Sequence, residues 1–159
     1  MAAAFVLRRL GALDLDLASR LHGEAFAPLG ERVWSRQDMA ELLASPGVAG
    51  FVLAENDEPI GFALCRVVAD EAELLTIAVR VGQRRRGAGR ELLTAVIAYA
   101  GDLGARSLLL EVDVNNPPAL ALYGQAGFEV ISRRKAYYRR ADGQSADAAL
   151  MRLTVTSDG

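Results

Sequence analysis

The apolar run Leu74-Leu75-Thr76-Ile77-Ala78-Val79 leads into Gln83-Arg84-Arg85-Arg86-Gly87-Ala88-Gly89-Arg90, and that segment leads into Glu91-Leu92-Leu93-Thr94-Ala95-Val96-Ile97. The first run reads as a strand and the third as a helix. Strand, glycine-rich loop and helix in direct succession constrain the chain to an α/β layer architecture. The junction presents unpaired backbone N–H groups and the positive end of a helix dipole to an anion. Gly87 and Gly89 carry no Cβ, so a phosphate can approach the backbone closely. The loop lacks the Lys-Ser/Thr pair of a nucleoside triphosphate loop. Position 92 is Leu, where a dinucleotide fingerprint needs glycine. The junction therefore points to a pyrophosphate that is neither ATP nor NAD.

The chain has 159 residues, which suits one domain with a sizeable core. Its net charge of −2 argues against nucleic-acid binding through the whole surface. Basic residues still cluster at 84–90 and 133–140, either as anion sites or as a solvated surface. The single cysteine, Cys65, excludes an intrachain disulfide framework. It lies in an apolar stretch and reads as a small buried hydrophobe rather than a nucleophile. His22 is the only histidine, so no metal-ligand cluster is expected, and a helical setting makes it a partly buried surface residue. Met1-Ala2-Ala3-Ala4 is too short for a signal peptide, and no apolar run reaches membrane-spanning length. The cytoplasm is the default compartment, with no membrane partner and a monomer or weak dimer.

Breakers and periodicity divide the chain. Strands are expected at 5–9, 51–55, 60–68, 73–79, 107–112, from 128 and at 148–155. Helices are expected at 14–25, with Leu13, Leu17, Leu21 and Ala25 on one stripe, and after Ser35, whose cap pairs with Asp38. Two more are expected at 88–103, stopped by Gly104, and at 117–125, capped by Asn116 and stopped by Gly127. Asn56 to Pro59 and Asp142-Gly143 read as hairpin turns. The strand at 107–112 is almost wholly apolar, as if buried on both faces. The order β-α-α-β-β-β-α-β-α-β-β implies one mixed sheet with helices on both faces. A right-handed crossover sets the fifth strand beside the fourth, and ligands bind at the carboxyl ends of such strands.

Two polar groups fall near that point. Glu111 interrupts an apolar strand, where a lone carboxylate is costly to bury. It is either paired with one of the arginines or a general base. Tyr123 follows on the next helix and is either a core aromatic or a phenol that protonates a leaving group.

The loop Arg84-x-x-Gly87-x-Gly89 resembles the pyrophosphate loop of GNAT N-acetyltransferases. Several further runs resemble the RimI family within that superfamily: 70–79, Leu110-Glu111-Val112, Asn116, 119–123, Gly127-Phe128 and 133–138. The resemblance implies one domain over 1–159, with a mostly antiparallel sheet splayed between strands four and five. It implies acetyl-CoA as co-substrate, no metal, and a protein N-terminus as acceptor, the alanine of a small-subunit ribosomal protein. Ile77, Ala78 and Val79 would meet the pantetheine arm through main chain. Arg85, Arg86, Gly87, Ala88, Gly89 and Arg90 would wrap the pyrophosphate, and Asn116 would contact coenzyme A near its thiol. Glu111 would be the base, Tyr123 the acid, and Tyr137 and Tyr138 would shape the acceptor slot. The chain departs from the family at Arg80-Val81-Gly82-Gln83, where Asp-Pro is usual, and at Ala27 to Val33, on the acceptor side.

The chemistry agrees with these roles. An α-amine with pKa near 8 is neutral in about one molecule in ten at pH 7, a lysine in about one in 2,500. One modest base therefore suits N-termini better. The amine attacks the thioester directly, which needs no enzyme nucleophile. A backbone N–H of the fourth strand, that of Ala78, is expected to receive the oxyanion. Three other readings remain: a GNAT enzyme acting on a lysine, polyamine, amino acid or antibiotic; a non-catalytic acyl-CoA-binding module; and a small RNA-binding domain.

Overall fold

The computed structural model describes residues 4–83, 86–139 and 145–155. The strands are β1 (Phe5–Arg9), β2 (Val48–Glu55), β3 (Glu58–Val68), β4 (Glu71–Val79), β5 (Ser107–Asp113), β6 (Glu129–Arg139) and β7 (Ser145–Thr154). The helices are α1 (Leu15–Phe26), α2 (Arg36–Ala44), α3 (Ala88–Asp102) and α4 (Pro117–Gln125). The strands form one sheet in the order β1-β2-β3-β4-β5-β7-β6. Every pair is antiparallel except β4–β5. That parallel pair requires the crossover, and α3 supplies it.

Local chemistry sets the boundaries. Asn56 and Asp57 both take left-handed φ, 52° and 64°, in a two-residue turn that matches strand twist. Glu58 and Pro59, expected in the turn, belong instead to β3. Pairing shifts between Leu53 and Ala54, beside Pro59, which has no N–H to donate. Ser35 caps α2: its hydroxyl accepts the Asp38 N–H at 3.1 Å, and the Asp38 carboxylate accepts the Ser35 N–H at 2.8 Å. The stripe expected on α1 is displaced. Residues 12–14 form a 3₁₀ turn, which changes the phase, so Leu15, Ala18, Leu21 and His22 are buried and Leu13 is fully exposed. Asp14 fixes this turn by pairing with Arg8 at 2.8 Å and accepting the Gly11 N–H at 2.8 Å.

Two cores flank the sheet. Leu92, Leu93, Val96 and Ala100 of α3 pack with Tyr123 of α4 against one face, meeting Ala72, Leu74, Leu108, Leu110 and Val112. On the other face, Leu15, Ala18 and Leu21 of α1 and Met39 of α2 meet Val52, Phe62, Leu64 and Ala78. Helix α1 lies against β3 and β4, and α2 against β2. The second core therefore stops at β4. Strand β5 is accordingly buried on one face, with Ser107, Leu109 and Glu111 only half-buried on the other, rather than on both faces as its composition suggests.

The β4–β5 ladder consists of Glu71↔Ser107, Ala72↔Leu108 and Glu73↔Leu109 and goes no further. On the other side of β4, Leu64 pairs with Thr76 and Cys65 with Leu74, which leaves Leu75 as an extra residue. Such a bulge bends and twists its strand. It falls just past Glu73↔Leu109, and beyond it β4 leaves β5, splaying the sheet as expected. The turn expected at Asp142-Gly143 lies outside the described residues.

Candidate active site

The N–H of Arg80 donates to the Ile60 carbonyl of β3 at 2.7 Å. Main-chain groups alternate sides along a strand. Those of Ala78 and Thr76 therefore face β3, and those of Val79 and Ile77 face the gap left by β5. Ala78, expected as a cofactor contact and oxyanion donor, is thus turned into the sheet in register with Phe62. Its side chain is buried in the α1-side core. The Ile77 N–H is directed at the gap instead.

Past β4 the chain reaches Gly87, the cap of α3, with φ 88°. The first bond of the helix runs from the Glu91 N–H to the Gly87 carbonyl at 3.0 Å. The N–H groups of Ala88, Gly89 and Arg90 precede it and have no partner in the helix ladder, as an anion site requires. The two glycines serve different ends. A Cβ on Gly87 would meet nothing within 4 Å, so its face is open. A Cβ on Gly89 would stand 3.3 Å from Leu122, so that glycine seats α4 against α3. Arg85 lies outside the described residues. Arg86, expected around the pyrophosphate, turns back to β2: its guanidinium holds both Glu55 oxygens, at 2.9 and 2.8 Å, and also bonds Gln83. This pair clasps the loop to the β2–β3 hairpin. Arg90 is exposed at the helix start.

Glu111 faces away from the α3-side core, because Leu110 and Val112 point into it. Its side chain is 27% exposed, and Oε1 lies 3.6 Å from an Arg134 Nη. The Arg134 guanidinium also covers the Tyr137 ring, 4.6 Å from its centroid. Partial burial, the Glu111 charge and a hydrogen bond to Glu111 together raise the Tyr137 phenol above its ordinary pKa. Glu111, Arg134 and Tyr137 thus form one group at the mouth of the gap. Both readings of Glu111 have a basis: it has an arginine partner on one oxygen, while the other, Oε2, is buried without one. The side chain of Tyr138 lies outside the described residues. Arg134 falls in the family-like segment 133–138, which by itself gives it no site role. Its approach to Glu111 depends on strand β7 between them and on irregular pairing of β6 between Arg134 and Tyr138, where Ala136 takes φ 54°. Asp147 holds that irregularity by accepting the Ala136 N–H at 2.9 Å and Arg133 Nε at 3.0 Å.

Tyr123 lies across the sheet from Glu111, in the α3-side core, with 6% of its surface exposed. It meets Phe128 edge-on at 5.7 Å. Burial raises its phenol far above the ordinary value, so it holds its proton at every physiological pH. Asn116 caps α4 by accepting the Ala119 N–H on Oδ1 at 3.3 Å, which leaves its amide N–H₂ to meet a ligand.

His22 is buried, not partly exposed, and stacks on Trp34 at 4.7 Å. Its Nδ1 accepts the Trp34 N–H at 3.2 Å, while Ser19 Oγ donates to the Trp34 carbonyl at 2.8 Å. These bonds tie the segment before α2 to α1. Burial, aided by Arg32, lowers the His22 pKa to about 4, so it is neutral. Cys65 is fully buried, which pushes its thiol up to about 11 and leaves it inert.

The chain is similar to known proteins over most of its length. The profile of the Acetyltransferase (GNAT) family matches residues 17–128. The [ribosomal protein bS18]-alanine N-acetyltransferase of Escherichia coli K12 is 35% identical over 144 residues, covering 90% of this chain and 93% of that one. The crystal structure of the ribosomal-protein alanine N-acetyltransferase from Escherichia coli superimposes with a TM-score of 0.87 at 33% identity, covering 98% and 97% of the two chains. Arabidopsis thaliana NAA60, solved in complex with acetyl-CoA, shares the fold with a TM-score of 0.82 at 21% identity, over 96% and 99%. A splayed β4–β5 pair, an α3 start with N–H groups outside the helix ladder and a match of this extent make the chain a member of the GNAT acetyltransferase family, on its RimI-like branch, with acetyl-CoA as co-substrate.

Proposed function

We propose that this protein transfers the acetyl group of acetyl-CoA to the α-amine of a protein N-terminus, and that its acceptor is the N-terminal alanine of ribosomal protein bS18. The observation that carries the reading is the placement of two groups on opposite faces of the splay. Glu111 lies on the α1 side, and Tyr123 lies in the core on the α3 side. An amine arriving from the first face can lose its proton to Glu111. A thiolate leaving toward the second can take one from Tyr123. Ile77 and Val79 would bond the pantetheine arm as an added strand in the gap. The N–H groups at the start of α3 would hold the pyrophosphate, and the Asn116 amide would meet the arm near the thiol. The Ile77 N–H would receive the oxyanion as the amine nitrogen bonds the thioester carbon; collapse then breaks the C–S bond. Tyr137 and Tyr138 would line the acceptor slot. A ribosomal acceptor implies a cytoplasmic enzyme working in a single domain.

The test is thiol release from acetyl-CoA with a short peptide beginning Ala-Arg-Tyr, and with the same peptide blocked at its N-terminus. Turnover with the free peptide alone is the expected result. Turnover with both would move the acceptor to a side-chain amine. No turnover with either, beside tight acetyl-CoA binding, would assign a different amine.

A further inference from the structure

Two buried side-chain oxygens among the described residues have no hydrogen-bond partner, Glu111 Oε2 and Thr76 Oγ1. Buried polar atoms are nearly always satisfied, so such a pair asks for a ligand. Both belong to the splay. Thr76 is 7% exposed and follows the bulged Leu75. The bulge settles which face Thr76 occupies. Ala72 and Leu74 belong to the α3-side core, and Ile77 and Val79 pack against it, whereas Leu75 and Ala78 lie with the α1-side core. Leu74 and Ile77 are three residues apart on one face, so Leu75 and Thr76 both occupy the opposite one. That is the face of Glu111. Register places them in opposition as well. The β4–β5 ladder ends at Glu73↔Leu109, and continuing it past Leu74↔Leu110 sets Glu111 across from the Leu75–Thr76 pair.

We propose that Thr76 Oγ1 and Glu111 Oε2 together bind the acceptor's amine, making Thr76 a substrate-binding residue of the reaction. The inference rests on the N-terminal acetylation reading. An α-ammonium has three N–H donors and no acceptor, and two orphaned oxygens facing each other across a gap complement it. One proton passes to Glu111 Oε2. A remaining N–H stays on Thr76 Oγ1 and holds the nitrogen in place, with its lone pair directed at the thioester carbon. The hydroxyl thus fixes orientation while the carboxylate takes the proton.

The test compares wild type with Thr76→Val and Thr76→Ser, using acetyl-CoA and the free-N-terminus peptide. A hydrogen bond to a charged donor is worth roughly ten- to a hundredfold in binding. Thr76→Val should therefore lower kcat/KM for the peptide by about tenfold or more, and Thr76→Ser should restore most of it. Acetyl-CoA affinity should stay unchanged. The Tm of Thr76→Val should equal or exceed that of wild type, because the substitution removes an unsatisfied buried hydroxyl. A kcat/KM within about twofold of wild type would overturn the assignment of Thr76 alone. So would losses of turnover, acetyl-CoA affinity and Tm in step, which would make the residue structural. Failure of wild type to acetylate the peptide would overturn the N-terminal reading, and the Thr76 assignment would fall with it.

Discussion

In the proposed reaction Glu111 and Tyr123 would divide the work, because β5 and α4 set them on opposite faces of the splay. The Arg134 contact bears on what can be measured at Glu111. The guanidinium lies 3.6 Å from Oε1, while the buried Oε2 has no hydrogen-bond partner and is the oxygen proposed to meet the amine. Glu111→Gln should keep acetyl-CoA affinity and cost about a hundredfold in turnover at pH 7, the scale of a lost general base. The deficit should narrow as pH rises through the amine's own pKa near 8, where acceptor arrives already neutral. Loss of cofactor affinity would instead make the carboxylate structural. Tyr123→Phe removes only a hydroxyl from a ring already wedged against Phe128. Turnover should fall while Tm changes little; equal losses of activity and stability would reduce Tyr123 to a core aromatic.

At the scale of elements, the segment between α1 and α2 shows what could be read beforehand and what could not. Ser35 and Asp38 mark the start of α2 in the sequence, because a capping box is local chemistry between residues three apart. The burial of His22 is not legible in the sequence because Trp34 and its N–H, which enclose it together with Phe26 of the same helix, come from outside that helix. The same holds for Arg86, whose partner Glu55 is distant in the chain, and for Gly89, whose missing Cβ makes room for Leu122. The His22 environment has a consequence for stability. Its folded pKa, about 4, lies below the ordinary 6.5, so the unfolded chain binds the extra proton first. The stabilisation is complete above pH 6.5 and is lost as pH falls toward 4. It amounts to roughly 3 kcal/mol across that window. Arg32 deepens the depression and Asp38 opposes it. Denaturant unfolding followed from pH 7 to 4 should show a shallower decline for His22→Phe than for wild type. Parallel declines would mean that His22 is no acid-sensitive element.

At the scale of the whole molecule, the element order was legible because glycines, prolines and caps punctuate the chain. The splay between β4 and β5 was reached through resemblance, not periodicity. Its physical cause, a bulge at Leu75, leaves no mark on the apolar run 74–79. Nor does composition show that α1 and α2 stop at β4 and leave one face of β5 half-open. The resulting molecule has a sheet joined at its middle by three rungs only. A co-substrate bonded to Ile77 on one side and to the start of α3 on the other would reinforce that junction, so its binding should register in global stability. At a hundred times its Kd, acetyl-CoA should stabilise the native state by about 2.7 kcal/mol. For a chain of this length that corresponds to a Tm rise of about 5–10 °C. Hydrogen exchange should locate the gain, with added protection at the Ile77 amide and at residues 88–90 and little change in β1 or β2. A Tm rise without protection at Ile77 would mean that the arm does not lie along β4 as an added strand. Protection at Ile77 without any at 88–90 would remove the pyrophosphate from the α3 N-terminus.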